Sequence, residues 1–210
     1  MDAIIISGLL INLNDNIVPF IEGNDVFVHT WNTKDNQRWI TKLERYRKHT
    51  NSLNIIVEKP KYDKKLYSYF YSTTKAVRSI PDIDKYKRLI KFKPNLLLNE
   101  IVYEGFLEHY FHKAYISSRP LLTGYSKEDC IYGAQYYKTL DERLFSGYPL
   151  AFKKLFHILD YRDRMLELNS KLESKYGEDY EGSIFWTEWC EANDVPIITD
   201  LKLKIPNNVK

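Results

Sequence analysis

The sequence predicts an α/β fold in which a mixed, mostly parallel central sheet is flanked by helices, and three observations predict it. Residues 3–7, Ala-Ile-Ile-Ile-Ser, form a β-branched apolar run stopped by Gly8, the pattern of a strand buried on both faces. Residues 25–30 and 53–57 repeat that pattern. Residues 37–49 and 66–80 carry apolar side chains at helical spacing, so strand and helix alternate through the first hundred residues.

The elements follow in order. Residues 12–21 mix Asn and Asp with apolar residues and read as a short helix, broken near Pro19 and again by Gly23. The helix over 37–49 has Trp39, Ile40, Leu43 and Tyr46 on one face and basic residues between them. The Tyr- and Thr-rich helix over 66–80 ends at Ile80, which precedes a proline. Residues 86–98 read as the next extended segment. Beyond residue 99 the order changes to an aromatic segment up to 115, a strand over 115–122, a helix over 132–145 and a long helix over 150–176. No repeat, low-complexity tract or linker divides the chain, so it reads as one domain over 1–210, with a ligand-binding half over 1–98 and a second half over 99–200. The basic, proline-containing tail after Thr199 is expected to be mobile and compatible with further domains beyond it.

At 210 residues with 44% hydrophobic and 28% charged residues, the chain lies in the globular range and away from disorder. Its 31 basic and 28 acidic residues leave a net charge of +3 spread evenly, which argues against a nucleic-acid partner. Only Cys130 and Cys190 are present, so two free thiols in a reducing, cytoplasmic setting are expected rather than a disulfide framework or zinc site. No apolar stretch is long enough to span a bilayer. A monomer is expected.

Several chemistries are excluded by motif. The chain has eight glycines and contains neither a Walker loop nor the dinucleotide glycine triplet. His29, His49, His109, His112 and His157 form no ligand cluster in sequence, and no metalloprotease histidine pair occurs. Ligands of such sheets bind at the carboxyl ends of the strands, which places Ser7 and Gly8 beside His29 and Trp31 at one edge. The strand-helix alternation likewise brings Lys75, Arg78, Lys91 and Lys93 around one crevice. The literal Asp82-Ile83-Asp84 precedes its strand and reads as a turn or helix cap. Tyr67, Tyr69, Tyr71, Tyr136 and Tyr137 suit either core packing or stacking on a ring.

A strand ending in Ser7-Gly8, paired with a strand reading Asp25-Val-Phe-Val-His-Thr-Trp31, resembles small GT-A glycosyltransferases, including chlorella-virus-encoded and WavE-like lipopolysaccharide enzymes. Three further segments resemble the same group in the same order. They are the strand from Tyr86 to Leu96, the turn Lys127-Glu-Asp-Cys-Ile-Tyr-Gly133, and Ile184-Phe-Trp-Thr-Glu188-Trp.

The resemblance implies a single GT-A-like domain that transfers a sugar from a UDP-sugar to a hydroxyl of a glycan or glycoprotein. It places Ser7, Gly8, His29 and Trp31 around the nucleoside, with Lys75, Arg78 and Lys93 near the diphosphate. A Mn²⁺ or Mg²⁺ ion on the diphosphate is also implied, because oxygen ligands suit these cations and negative charge grows on the leaving phosphate. Asn95 stands where the group has a metal-binding aspartate, and offers one carbonyl oxygen. Asp129, before Gly133, is the candidate base or sugar ligand, with a helix cap as its structural alternative. Glu188 reads equally as the wet face of an aromatic helix. Two other functions fit the sequence: a non-catalytic nucleotide- or glycan-binding relative, and a single-stranded RNA-binding module suggested by the Tyr and Lys content.

Overall fold

The first apolar run is strand β1, Ala3–Ser7, and every one of its residues is buried. A computed structural model describes residues 1–11, 13, 15–61, 65–94, 124–136, 139–178 and 180–200 of the chain. In it, β1 lies inside a seven-stranded sheet, between β2 and β4. The other strands are β2, Asp25–Trp31, β3, Ser52–Glu58, β4, Leu89–Phe92, β5, Ile131–Tyr136, β6, Thr139–Gly147, and β7, Ile197–Asp200. Their order is β3-β2-β1-β4-β6-β5-β7. Strands β1 to β4 run parallel, β6 is antiparallel to both neighbours, and β5 and β7 are parallel.

Because successive strand residues face opposite sides, β1 feeds two cores. Ile4 and Ile6, with Val26, Val28, Ile90 and Phe92, pack against helices α1, Val18–Ile21, and α2, Gln37–Arg45. Ala3 and Ile5 pack with a larger, aromatic core on the other face. That core is built on helices α3, Lys65–Arg78, α4, Pro149–Phe156, α5, Tyr161–Tyr176, and α6, Gly182–Ala192.

Four expectations are corrected. Pro19 lies in the first turn of α1 instead of breaking it, where its missing N–H has no intrahelical partner to lose. The span 132–145 holds strands β5 and β6 in place of a helix, because β6 is sandwiched in the sheet between β5 and β4, and β4 lies far away in sequence. The long helix over 150–176 is two helices, separated at 157–160. Of the segment 86–98, only Leu89–Phe92 is strand among the described residues. Strand β7 was not foreseen. Asn95, the aromatic segment to 115, the strand over 115–122 and the tail over 201–210 lie outside the described residues. No helix among the described residues is long and apolar enough to cross a membrane.

Candidate active site

The chain leaves β1 toward β2 on one side, while the crossover through α3 delivers β4 to the other. The sheet therefore has a topological switch between β1 and β4, where the connections diverge and open a crevice at the carboxyl ends of the strands. A cleft of about 670 Å³ lies there. One side, beyond β2 and β3, is apolar, with Trp31 and Pro60, and Leu9, Ile11 and Leu66 add apolar lining to the cleft. The other is polar, with Lys93, Glu142 and Tyr180 beside Gly182, and Ser7, Gly8 and Tyr69 lie on the lining as well.

A buried polar frame holds the turn after β1. Gly8 has φ of +95°, a conformation that side chains with a Cβ rarely adopt, and a Cβ there would sit 3.3 Å from the Tyr69 ring. The Gly8 N–H donates to Ser72 Oγ at 2.7 Å, and its carbonyl accepts from Thr30 Oγ1 at 2.7 Å. Thr73 Oγ1 donates to the Tyr69 carbonyl at 3.1 Å, which leaves it to accept from Ser7 Oγ at 2.8 Å. Asn36 joins the second strand to the same turn. Its amide donates to Thr30 Oγ1 and to the Trp31 carbonyl, and its Oδ1 accepts from the Leu10 N–H.

Neither Ser72, Thr73 nor Asn36 was singled out from the sequence. The available signal was the run Ser72-Thr73-Thr74 in the middle of an otherwise aromatic helix, where hydroxyls need partners if the helix is buried. Ser72→Ala removes a hydroxyl that serves both Gly8 and His29, and is expected to cost about 1 to 3 kcal/mol. Equilibrium denaturation checks this, with Ser72→Thr as the variant that keeps the hydroxyl.

At the polar end, the Lys93 N–H donates to the Arg143 carbonyl at 2.8 Å, which continues the β4–β6 ladder one residue past the strand. Lys93 Nζ meets Glu142 Oε1 at 2.5 Å and lies 4.5 Å from the Tyr69 ring centroid. Lys91, two residues back on the same face of β4, is fully buried, with its ammonium on the Glu142 carbonyl and 4.2 Å from the same ring. Glu142 escaped the sequence reading because its strand was taken as a helix.

Of the residues predicted for a site, Ser7, Gly8, Trp31 and Lys93 border the cleft. Four others do not, each for a geometric reason. His29 is fully buried beneath it, wedged edge-on between Trp31 and Tyr71. Ser72 Oγ donates to the His29 carbonyl, so His29 Nδ1–H must donate to Ser72, at 2.9 Å. That leaves Nε2 a lone pair with no hydrogen-bond partner among the described residues, 3.7 Å from Glu58. Burial pulls the imidazole down to about 4, and the nearby Glu58 charge only partly opposes this. Lys75 is not on the lining and lies 3.7 Å from Glu58 and 5.4 Å from the Tyr71 centroid.

Arg78 and Asp129 belong to the opposite edge of the sheet. Helix α3 packs on β1 and β2 from the crossover, and Arg78 is nine residues beyond Tyr69, about 13 Å along the axis. There its guanidinium donates to the carbonyls of Phe156, at 2.6 Å, and Ile158, closing the end of α4. Asp129 precedes Ile131, which pairs with Gly147, itself opposite Leu89 and so level with Ala3. It forms a capping box with Ser126 and an ion pair with Lys154 at 2.9 Å. Those hydrogen bonds, Lys154 first, hold its carboxyl down at about 2. Asp129 is thus not a cleft carboxylate, and it caps no helix from Tyr132 either, since that segment is β5; it closes the short turn 127–129 with Ser126. Asp82 and Asp84 form a turn, as expected, with Asp84 paired to Lys153. Glu188 lies on the surface side of α6, 4.0 Å from Lys175.

A divalent cation needs several converging oxygen donors. Among the described residues no three His, Cys, Asp or Glu side chains converge, and the cleft carboxylate Glu142 is already engaged by Lys93. The described donors do not fit such an ion.

No protein-family model matches the chain, and no curated protein matches it by sequence. Solved structures do. The glycosyltransferase GlyE of Streptococcus pneumoniae TIGR4 superposes with a TM-score of 0.52 at 7% identity, over 95% of this chain and 45% of that one. Its apo form gives 0.50 at 9% identity, over 94% and 45%. The fold is of the GT-A glycosyltransferase type. At these identities the likeness is one of fold, and the chain spans less than half the length of the GlyE chains it matches.

Proposed function

We propose that this protein is a glycosyltransferase that binds a nucleoside diphosphate sugar, foremost a UDP-sugar, and passes the sugar to a hydroxyl of a glycan or glycoprotein. The observation that carries the reading is the two-ended cleft at the β1–β4 switch. Its apolar end, closed by Trp31, suits a base and ribose, and Lys93 at the other end suits a diphosphate. The resemblance to chlorella-virus-encoded and WavE-like enzymes and the fold shared with GlyE support the same reading.

In the transfer, the acceptor oxygen bonds to the anomeric carbon while the bond from that carbon to the phosphate oxygen breaks. The electron pair leaves with the diphosphate, and the hydroxyl proton passes to solvent water. Lys93 would stabilise the charge that develops on the leaving group, in a cleft where the aromatic wall limits water. Asp129, at the far edge, takes no part.

The test is a thermal-shift panel of UDP-, GDP- and CMP-sugars, with and without Mn²⁺, followed by release of free UDP from the responding sugar. A rise in melting temperature with a UDP-sugar is expected, and no shift with any nucleotide overturns the reading. Lys93→Ala is expected to slow UDP release about 100-fold, while Asp129→Ala retains it. Binding without release in the wild-type protein would favour the non-catalytic alternative.

A further inference from the structure

The cleft already contains an anion of the protein's own. Glu142 Oε1 lies 2.5 Å from Lys93 Nζ, and the two side chains are 19% and 30% exposed. We propose that Glu142 is a built-in occupant of the cleft's anion subsite, and that an incoming diphosphate takes Lys93 from it. Glu142 then sets how much negative charge a ligand must bring. The proposal rests on the reading of the cleft as a diphosphate site.

The surroundings leave the Glu142 side chain, and little else, able to yield. Its backbone is held from two sides, since its carbonyl accepts from Tyr69 Oη at 3.1 Å and from the Lys91 ammonium. Lys93 keeps a second support when the carboxylate departs, because its ammonium lies 4.5 Å from the centroid of the Tyr69 ring. The carboxylate lies against Gly182, and any other residue there would make it shift. A Cβ there would lie 2.0 Å from Oε2, so the side chain occupies room against the first turn of α6 that any other residue would fill. The start of that helix adds a field that favours negative charge at the same point.

The pair is partly solvated, so screening keeps it weak enough to exchange. A diphosphate offers more oxygens and more charge to the same ammonium, and gains what the carboxylate loses. Until Glu142 moves, its charge opposes any anion that approaches Lys93. A singly charged ligand gains little by the exchange. A diphosphate gains enough.

Calorimetric titration with inorganic pyrophosphate and with UDP, at low ionic strength, tests this on the wild-type protein, Glu142→Gln, Lys93→Met and the double variant. Glutamine keeps the size of the side chain beside Gly182, and thermal melts confirm that each variant is folded. Glu142→Gln is expected to bind pyrophosphate about tenfold more tightly. Lys93→Met loses binding, and in its background Glu142→Gln restores nothing, because the competition runs through Lys93. Equal pyrophosphate affinity in the wild type and in Glu142→Gln overturns the proposal, as does a gain that survives Lys93→Met. If UDP binds the wild type without a gain in Glu142→Gln, the proposal fails and the nucleotide reading stands. If pyrophosphate shows the gain and no nucleotide binds, the proposal stands and the nucleotide reading fails. Binding of neither ligand to any variant overturns both.

Discussion

Phe70→Ala is expected to lower the stability of the protein by about 3 to 5 kcal/mol, the usual cost of deleting a fully buried aromatic ring. Phe70 is completely buried on α3, and its ring centroid lies 4.8 Å from that of Trp189, 5.2 Å from Phe185 and Trp186, and 6.2 Å from Phe156. Its neighbours come from α4 and α6, so one ring joins three helices on the same face of the sheet. They are large and rigid, and cannot collapse into the space left behind. The effect should reach the cleft, because Tyr69 and Ser72 stand on the same helix and hold the turn at Gly8. Denaturant titration measures the loss. Phe70→Leu should lose clearly less, and a loss below about 1 kcal/mol for alanine would mean that the aromatic layer repacks.

Acid is expected to destabilise the protein well before its carboxylates titrate, and His29 is the reason. In the folded state burial holds this imidazole near 4, against an ordinary value of 6.5. Between those two values the unfolded chain binds a proton that the folded chain refuses. Stability is therefore complete above about pH 6.5 and falls as the pH drops toward 4, by a total on the order of 3 kcal/mol. Glu58 adds to the fall at lower pH. Although burial pushes its carboxyl up, hydrogen bonds from Lys61 and Tyr71 outweigh this and hold it at about 2. Unfolding free energies measured from pH 7 to 5, above the range where the carboxylates contribute, should show the slope in the wild type, and a nearly flat line over that window in His29→Gln. The same slope in both would exclude His29 as its source.

Much of the first half was legible from the sequence. The run Ala3–Ser7 has no polar residue before its end, and such a run is stable only where both of its faces are covered. The amphipathic stripe over 37–49 and the pre-proline stop at Ile80 are local signals, and local structure follows them. The turn at Gly8 was readable too, because its backbone conformation favours glycine. What could not be read was the partner of each polar side chain. His29, Lys75 and Arg78 have the composition of a phosphate site, yet their places are set by which face of a strand or which end of α3 they occupy.

The hairpin of β5 and β6 shows where the boundary lies. Residues 132–145 carry Leu140 and Leu144 four apart with charged residues between them, a spacing that fits one face of a helix as well as it fits a strand. Only the pairing of β6 with β4, some fifty residues away, selects the strand. That choice brings Glu142 to Lys93 and carries Asp129 to the far edge. The sequence by itself determined the α/β class, the buried first strand and the glycine turn that opens the cleft, since each depends on short-range sterics and hydrophobic periodicity. The tertiary structure alone decided which charges meet in that cleft, because a contact between side chains far apart in the chain depends on strand order and register, which no local spacing encodes.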